Sequence, residues 1–126
     1  MISTLTYLAG PYSHSDQKIM DYRYSAITFI ACQLLKKGHY VYSPLTHNIP
    51  FTKLGIEQNW ESWKHFDCFM LSKSDKLLIV MLPGWETSTG VSDEIQYAIS
   101  KDIVVEYLQP DELLKDFTHN TCSISI

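Results

Sequence analysis

Two carboxylates and one turn rich in small and hydroxyl-bearing residues are the parts of this chain best suited to breaking a bond. Glu94 closes the run Trp85-Glu86-Thr87-Ser88-Thr89-Gly90-Val91-Ser92-Asp93-Glu94. The Ser/Thr/Gly stretch predicts a helix start with unpaired N–H groups, and Glu94 falls within its first two turns. The dipole there favours the ionised acid, and an ionised carboxylate in a pocket can attack an electrophilic carbon or stabilise an oxocarbenium ion. A capping box does not account for it, because the residue three before is Val91. An exposed acid near a helix start is the plainer alternative. Asp67 is the second carboxyl; beside Glu94 it would suit acid/base work on a leaving group, and surface placement fits its pattern as well. Asp75 opens an apolar run and reads as a turn residue.

The turn is Tyr7-Leu8-Ala9-Gly10-Pro11-Tyr12-Ser13-His14. A strand ending in Gly10-Pro11 leaves the next backbone amides free to face an anion or a sugar hydroxyl, or simply makes a tight strand-to-helix turn. One glycine does not make a dinucleotide fingerprint. Pro44 and His47, followed by Asn48, lie on a second long connection, and Trp85, Ser88 and Gly90 on a third. His47 reads as solvated, not as a metal ligand. The five histidines form no HExxH pattern, and Cys32, Cys68 and Cys122 match neither a zinc site nor a disulfide framework. No metal and no cofactor are expected.

These groups need elements to hold them. Leu5–Ala9 and Lys76–Leu82 read as strands covered on both faces, with shorter strands over 39–43 and 103–107. Met20, Tyr24, Ile27, Ala31 and Leu34 mark one face of a helix over 17–37, with Gly38 as its C′ glycine. A second helix is predicted over 57–72 with Trp60, Trp63, Phe66 and Met70 inward, a third over 90–100, and a short one over 111–117. The strand–helix alternation predicts an α/β fold: a three-layer αβα, flavodoxin-like (Rossmann-like) open parallel sheet of four to five strands in the order 2-1-3-4. Ligands of such sheets bind beyond the carboxyl ends of the strands, where the three connections meet. One domain over 1–117 and a tail over 118–126 follow. The tail ends Ser123-Ile124-Ser125-Ile126 and would suit a dimer interface.

The chain has 126 residues with 10 basic and 14 acidic side chains, so its net charge is 10 − 14 = −4. No basic run exists and Arg23 is the only arginine, which argues against a nucleic-acid polymer as partner. No window approaches the roughly 20 apolar residues of a membrane span, and the N-terminus has no signal-peptide pattern. A reduced, cytoplasmic protein is expected.

Taken together, Tyr-Leu-Ala-Gly-Pro-Tyr-Ser, the spaced Asp67 and Asp75, and Ser88-x-Gly90-x-x-x-Glu94 with Ala98 resemble the nucleoside 2-deoxyribosyltransferase superfamily, which includes the nucleoside 5′-monophosphate N-glycosidases. The similarity spans about positions 5 to 108, and Leu82-Pro83-Gly84-Trp85-Glu86 resembles a segment of its short members. The resemblance implies that Glu94 is the nucleophile at C1′, that Tyr7 orients it, and that Asp67 contacts the base and assists its protonation. It implies a flavodoxin-like fold, homodimers whose sites borrow residues from the neighbour, and no cofactor. Ser88 would help hold a 5′-phosphate, which tilts the expectation toward a nucleotide; the first loop, with Ser13 and His14, lacks the arginine of the nucleotide branch. The expected function is cleavage of the N-glycosidic bond of a deoxynucleotide or nucleoside, resolved by water or by a second base. A non-catalytic nucleotide-binding module is the rival. A redox flavodoxin-like domain, with Trp85 stacked on a ring, is a weaker third, because the first loop lacks an anion nest.

Overall fold

In the computed structural model, which describes residues 3–57 and 59–118, the apolar runs become strands and the periodic segments become helices. The order is β1 (Leu5–Ala9), α1 (Gln17–Lys36), β2 (Tyr40–Tyr42), α2 (Pro44–Asn48), α3 (Trp60–Ser72), β3 (Lys76–Val80), α4 (Thr89–Ser100), β4 (Val104–Leu108) and α5 (Asp111–Leu114), with 3₁₀ turns at Ile49–Leu54 and Trp85–Thr87. All strand pairs are parallel, and the four strands lie in the order β2-β1-β3-β4. This is the expected 2-1-3-4 order of a flavodoxin-like sheet. The chain leaves β1 toward β2 on one side and returns to β3 on the other, so a crevice opens beyond β1 and β3.

Two apolar layers sandwich the sheet. On one face Tyr7, Ala9, Leu77 and Ile79 pack against Leu71 of α3 and Val91 and Ala98 of α4. On the other, Leu8 and Val80 pack against Ala26, Ile27, Ile30 and Ala31 of α1, with Leu113 and Leu114 of α5 alongside. Alternate residues of β1 therefore serve opposite layers, as the period of two requires. The helix ends carry the local signals that the residue types suggest. Asp16 caps α1 by accepting from Lys18 N at 2.9 Å. At its other end Gly38, at φ +92°, lets its own N–H reach Leu35 O while His39 N reaches Leu34 O, a Schellman closure.

Four features depart from the expectation. Ser43-Pro44 does not begin a long loop: Ser43 Oγ accepts from Thr46 N and starts α2, with Pro44 at its first turn. The strand expected over 103–107 is an open edge, with Val104 57% and Tyr107 50% exposed. The inner stripe of α3 is Trp63, Asp67 and Leu71, whereas Phe66 is 40% exposed. A hydrophobic pattern excludes an aspartate from the inner face, and here Asp67 lies there, accepting from Asn48 Nδ2 at 3.0 Å. Finally, α5 stops at Leu114. Apart from Thr118, the expected tail and Cys122 lie outside the described residues. No helix among the described residues is long and apolar enough to cross a membrane.

Candidate active site

A cleft of about 330 Å³ opens at the carboxyl edge of the sheet. The end of β1 supplies Gly10, Tyr12 and Ser13; α2 supplies Pro44 and Asn48; α3 supplies Trp60, Trp63 and Asp67; the start of α4 supplies Ser88, Gly90 and Glu94. Four chain segments thus converge, as the topology requires.

Glu94 and Asp67 are both 5% exposed. The hydroxyl of Tyr7, itself fully buried in β1, donates to Glu94 Oε2. Burial, reinforced by the charge of Glu94, raises the Tyr7 pKa and keeps this donor protonated. Burial also pushes Glu94 up to about 8; the Tyr7 hydrogen bond opposes that rise and the charges of Asp67 and Asp93 add to it. Glu94 is the sixth residue of α4, beyond the first turn where the dipole acts, so the expected dipolar stabilisation of its anion is not the governing term. Asp67 is pushed up to about 6, again by burial, against the hydrogen bond from Asn48 Nδ2 at 3.0 Å and the influence of His47.

The walls are tied in place. Trp60 Nε1 donates to Asp93 Oδ2 at 2.6 Å, linking the start of α3 to α4. Arg23 of α1 is only 8% exposed and spreads its guanidinium over three carbonyls: Ser13 O at 2.9 Å, Tyr12 O at 3.3 Å and Pro83 O at 3.0 Å. It joins the loop after β1 to the loop after β3. Gly84, at φ +95°, leaves the space that the guanidinium fills, since a Cβ there would stand 2.4 Å from Arg23 Nη2.

Of the residues singled out in the sequence, Glu94, Asp67, Gly10, Tyr12, Ser13, Pro44, Ser88 and Gly90 line the cleft, and Tyr7 stands behind Glu94. Four do not line it. Pro11 is buried beneath the loop. His14 is exposed, and its Nδ1 accepts from Asp16 N at 2.9 Å, which shapes the turn into α1. His47 lies behind Asn48 with its Nδ1 2.7 Å from Asn48 Oδ1. Trp85 turns away to pack on Tyr107, with ring centroids 5.5 Å apart. The Leu-Pro-Gly-Trp-Glu segment is therefore a packing turn, not a ligand wall. Asp75 is remote from the cleft, joining the starts of β3 and β1 through Leu5 N at 2.6 Å.

The reading of the residues missed Asn48, Asn59, Trp60 and Trp63 as lining groups. Ser43-Pro44 as a helix-start pair was the available signal for Asn48, because it places that side chain on a helix facing α3. Tryptophans at helical spacing carry no signal separating a cleft wall from core. Two buried donors, Tyr42 Oη and Trp63 Nε1, have no hydrogen-bond partner among the described residues. Tyr42 stands in register with Tyr7, their rings 5.8 Å apart. Since an unpaired buried hydroxyl costs free energy, Tyr42→Phe is expected to stabilise the fold by about 1 kcal/mol, read as a higher thermal midpoint. Among the described residues no group of His, Cys, Asp and Glu is placed to hold a metal ion.

The fold and the cleft define an α/β domain with a buried carboxyl pair at the switch point of a parallel sheet. Residues 4–109 match the family described as a domain of unknown function, DUF1937, and the chain belongs to that family. A comparison with curated proteins finds no match.

Proposed function

We propose that this protein cleaves the N-glycosidic bond of a nucleoside, as the resemblance to the nucleoside 2-deoxyribosyltransferase superfamily implies. The observation that carries the reading is the buried Glu94 receiving the Tyr7 hydroxyl at the floor of a cleft that Asp67 shares. In the proposed reaction a Glu94 carboxylate oxygen forms a bond to C1′ as the C1′–N bond breaks. The electron pair of that bond passes to the base nitrogen, which takes the proton of Asp67. Water, or an incoming base, then displaces Glu94 from the sugar and gives up its proton to the Asp67 carboxylate, which restores both acids.

Burial raises both carboxyls, Asp67 to about 6 and Glu94 to about 8, so the pair is expected to share one proton across that window. In the empty cleft Glu94 carries it. Positive charge developing on the sugar favours the tautomer with Glu94 ionised and Asp67 protonated, and both tautomers give the same pH dependence. The rate should follow a bell whose limbs belong to the pair.

The same cleft bears on the 5′ end of the substrate. Its lining has two carboxyls and, among the described residues, no Lys, Arg or His. The only arginine is spent on carbonyls, and Ser88 Oγ accepts from Val91 N at 3.3 Å as the cap of α4, which leaves its O–H as the one neutral donor this side chain offers. A phosphate dianion would meet the start of α4 but no cationic side chain among the described residues, and would lie near two acids, so a free nucleoside is the favoured substrate. Chromatographic assay of released base across the common deoxynucleosides and their 5′-monophosphates tests both points. The expectation is a kcat/KM about tenfold or more higher for the nucleosides, equivalent to one unfavourable charge contact. Release from none of them, with nucleoside bound equally by wild type and Glu94→Ala, would select the binding-module reading instead.

A further inference from the structure

Asn48 is 2% exposed, and both ends of its amide are engaged. Nδ2 donates to Asp67 Oδ1 at 3.0 Å, and Oδ1 lies 2.7 Å from His47 Nδ1. With the amide set so that Nδ2 serves the carboxylate, its oxygen can only accept, and the His47 tautomer that fits carries its proton on Nδ1. His47 is exposed, yet its ring is braced on several sides. It stacks on Phe66 at 5.5 Å and 19°, and meets Phe51 at 5.3 Å, Tyr42 at 5.9 Å and Trp63 edge-on at 6.4 Å. A surface histidine held this firmly, with its proton aimed inward at a buried amide, is more than a solvated side chain.

The chain His47–Asn48–Asp67 has a chemical consequence. Asp67 Oδ1 already accepts the Asn48 N–H, so when Asp67 is protonated the proton belongs on Oδ2. A free amide could rotate and offer its oxygen to Asp67, and the acid would then spend its proton on its own neighbour. With its proton on Nδ1, His47 opposes this, because rotation would set the amide NH₂ against another donor unless the imidazole also shifted its proton to Nε2. We propose that His47 is a positioning residue which, through Asn48, confines the acidic proton of Asp67 to Oδ2, the oxygen left to serve the cleft. The inference rests on the acid role proposed for Asp67. In that step the proton passes from Oδ2 to the departing base nitrogen, and the resulting carboxylate keeps the Asn48 N–H on Oδ1. The other titratable groups facing Asp67 are Tyr7 of β1, Tyr42 of β2, Glu94 of α4 and Cys68 beside it on α3.

His47→Phe tests this in the whole protein, since it keeps the ring stack and removes both the N–H and the charge influence of the imidazole on Asp67. The neutral His47→Gln separates the two, and an Asp67 shift that it fails to reverse overturns the proposal. In carboxyl-carbon NMR the Asp67 titration should move upward from about 6, by about half a pH unit or more, as the amide loosens its hold on the carboxylate. Base release should lose about tenfold in kcat with KM changed less than about twofold, the pattern of an interaction used in the transition state. His47→Gln, which restores an N–H donor, should recover a large part of both. An Asp67 titration in His47→Phe that superimposes on wild type overturns the proposal. If wild type frees no base from any nucleoside, the glycosidase reading falls, and the titration still decides whether the chain holds Asp67.

Discussion

Glu94→Gln is expected to lose about 10³- to 10⁵-fold in base release while making the folded chain more resistant to unfolding at alkaline pH. The rate loss follows from the proposed bond: a neutral amide cannot become the covalent partner of C1′, so only binding and the acid remain. Residual activity within tenfold of wild type would remove Glu94 as nucleophile.

The stability gain follows from the burial that makes Glu94 useful. Its pKa is raised from 4.5 to about 8 in the folded chain. Below 4.5 the acid is neutral in both folded and unfolded states and contributes no penalty. As pH rises from there to about 8 the unfolded chain ionises and the folded chain does not, so stability is lost progressively and levels off once both are ionised. The full loss is about 5 kcal/mol, at about 1.4 kcal/mol for each pH unit of displacement. Glutamine at 94 removes it. Denaturant unfolding of the two proteins should nearly coincide at acid pH and diverge up to about 8, with the variant the more stable. Parallel curves across that window would mean that Glu94 is already ionised in the fold.

The second large effect is at Arg23. Arg23→Ala is expected to cost about 3 kcal/mol, a fall of roughly 10 °C in thermal midpoint for a chain of this size. The guanidinium is buried without an acidic partner among the described residues and is held by the carbonyls of Tyr12, Ser13 and Pro83. Removing it strands those carbonyls and empties the space beneath Gly84. Burial lowers the Arg23 pKa, but an arginine stays charged, and its planar fork reaches two loops at once. Lysine offers one point charge and should recover little. Because Tyr12 and Ser13 line the cleft, the loss should also weaken nucleoside binding, even at temperatures where the variant is fully folded. An alanine variant melting within 2 °C of wild type, a range set by about 0.5 kcal/mol, would show that the loops hold themselves.

Much of this molecule was legible in the residues alone. The strands, the parallel order 2-1-3-4 and the convergence of three loops follow from the alternation of apolar runs with helical periods, because burial on both faces demands that pattern. Glu94, Asp67 and the Gly10 turn were identifiable because carboxylates and breakers stand out at strand ends and helix starts. Hidden from that reading were Asn48, Trp60 and Trp63, whose types are as common in packing as in clefts, and the true places of His47, Trp85 and Arg23. Periodicity reports which face of an element is apolar, not what stands opposite it. Whether Asp67 faces solvent or a cleft, whether the lone arginine meets a ligand or three carbonyls, and whether Glu94 is charged at neutral pH depend on distances across elements far apart in the chain. Those distances set the desolvation and hydrogen bonding of each group, and only the packed fold supplies them.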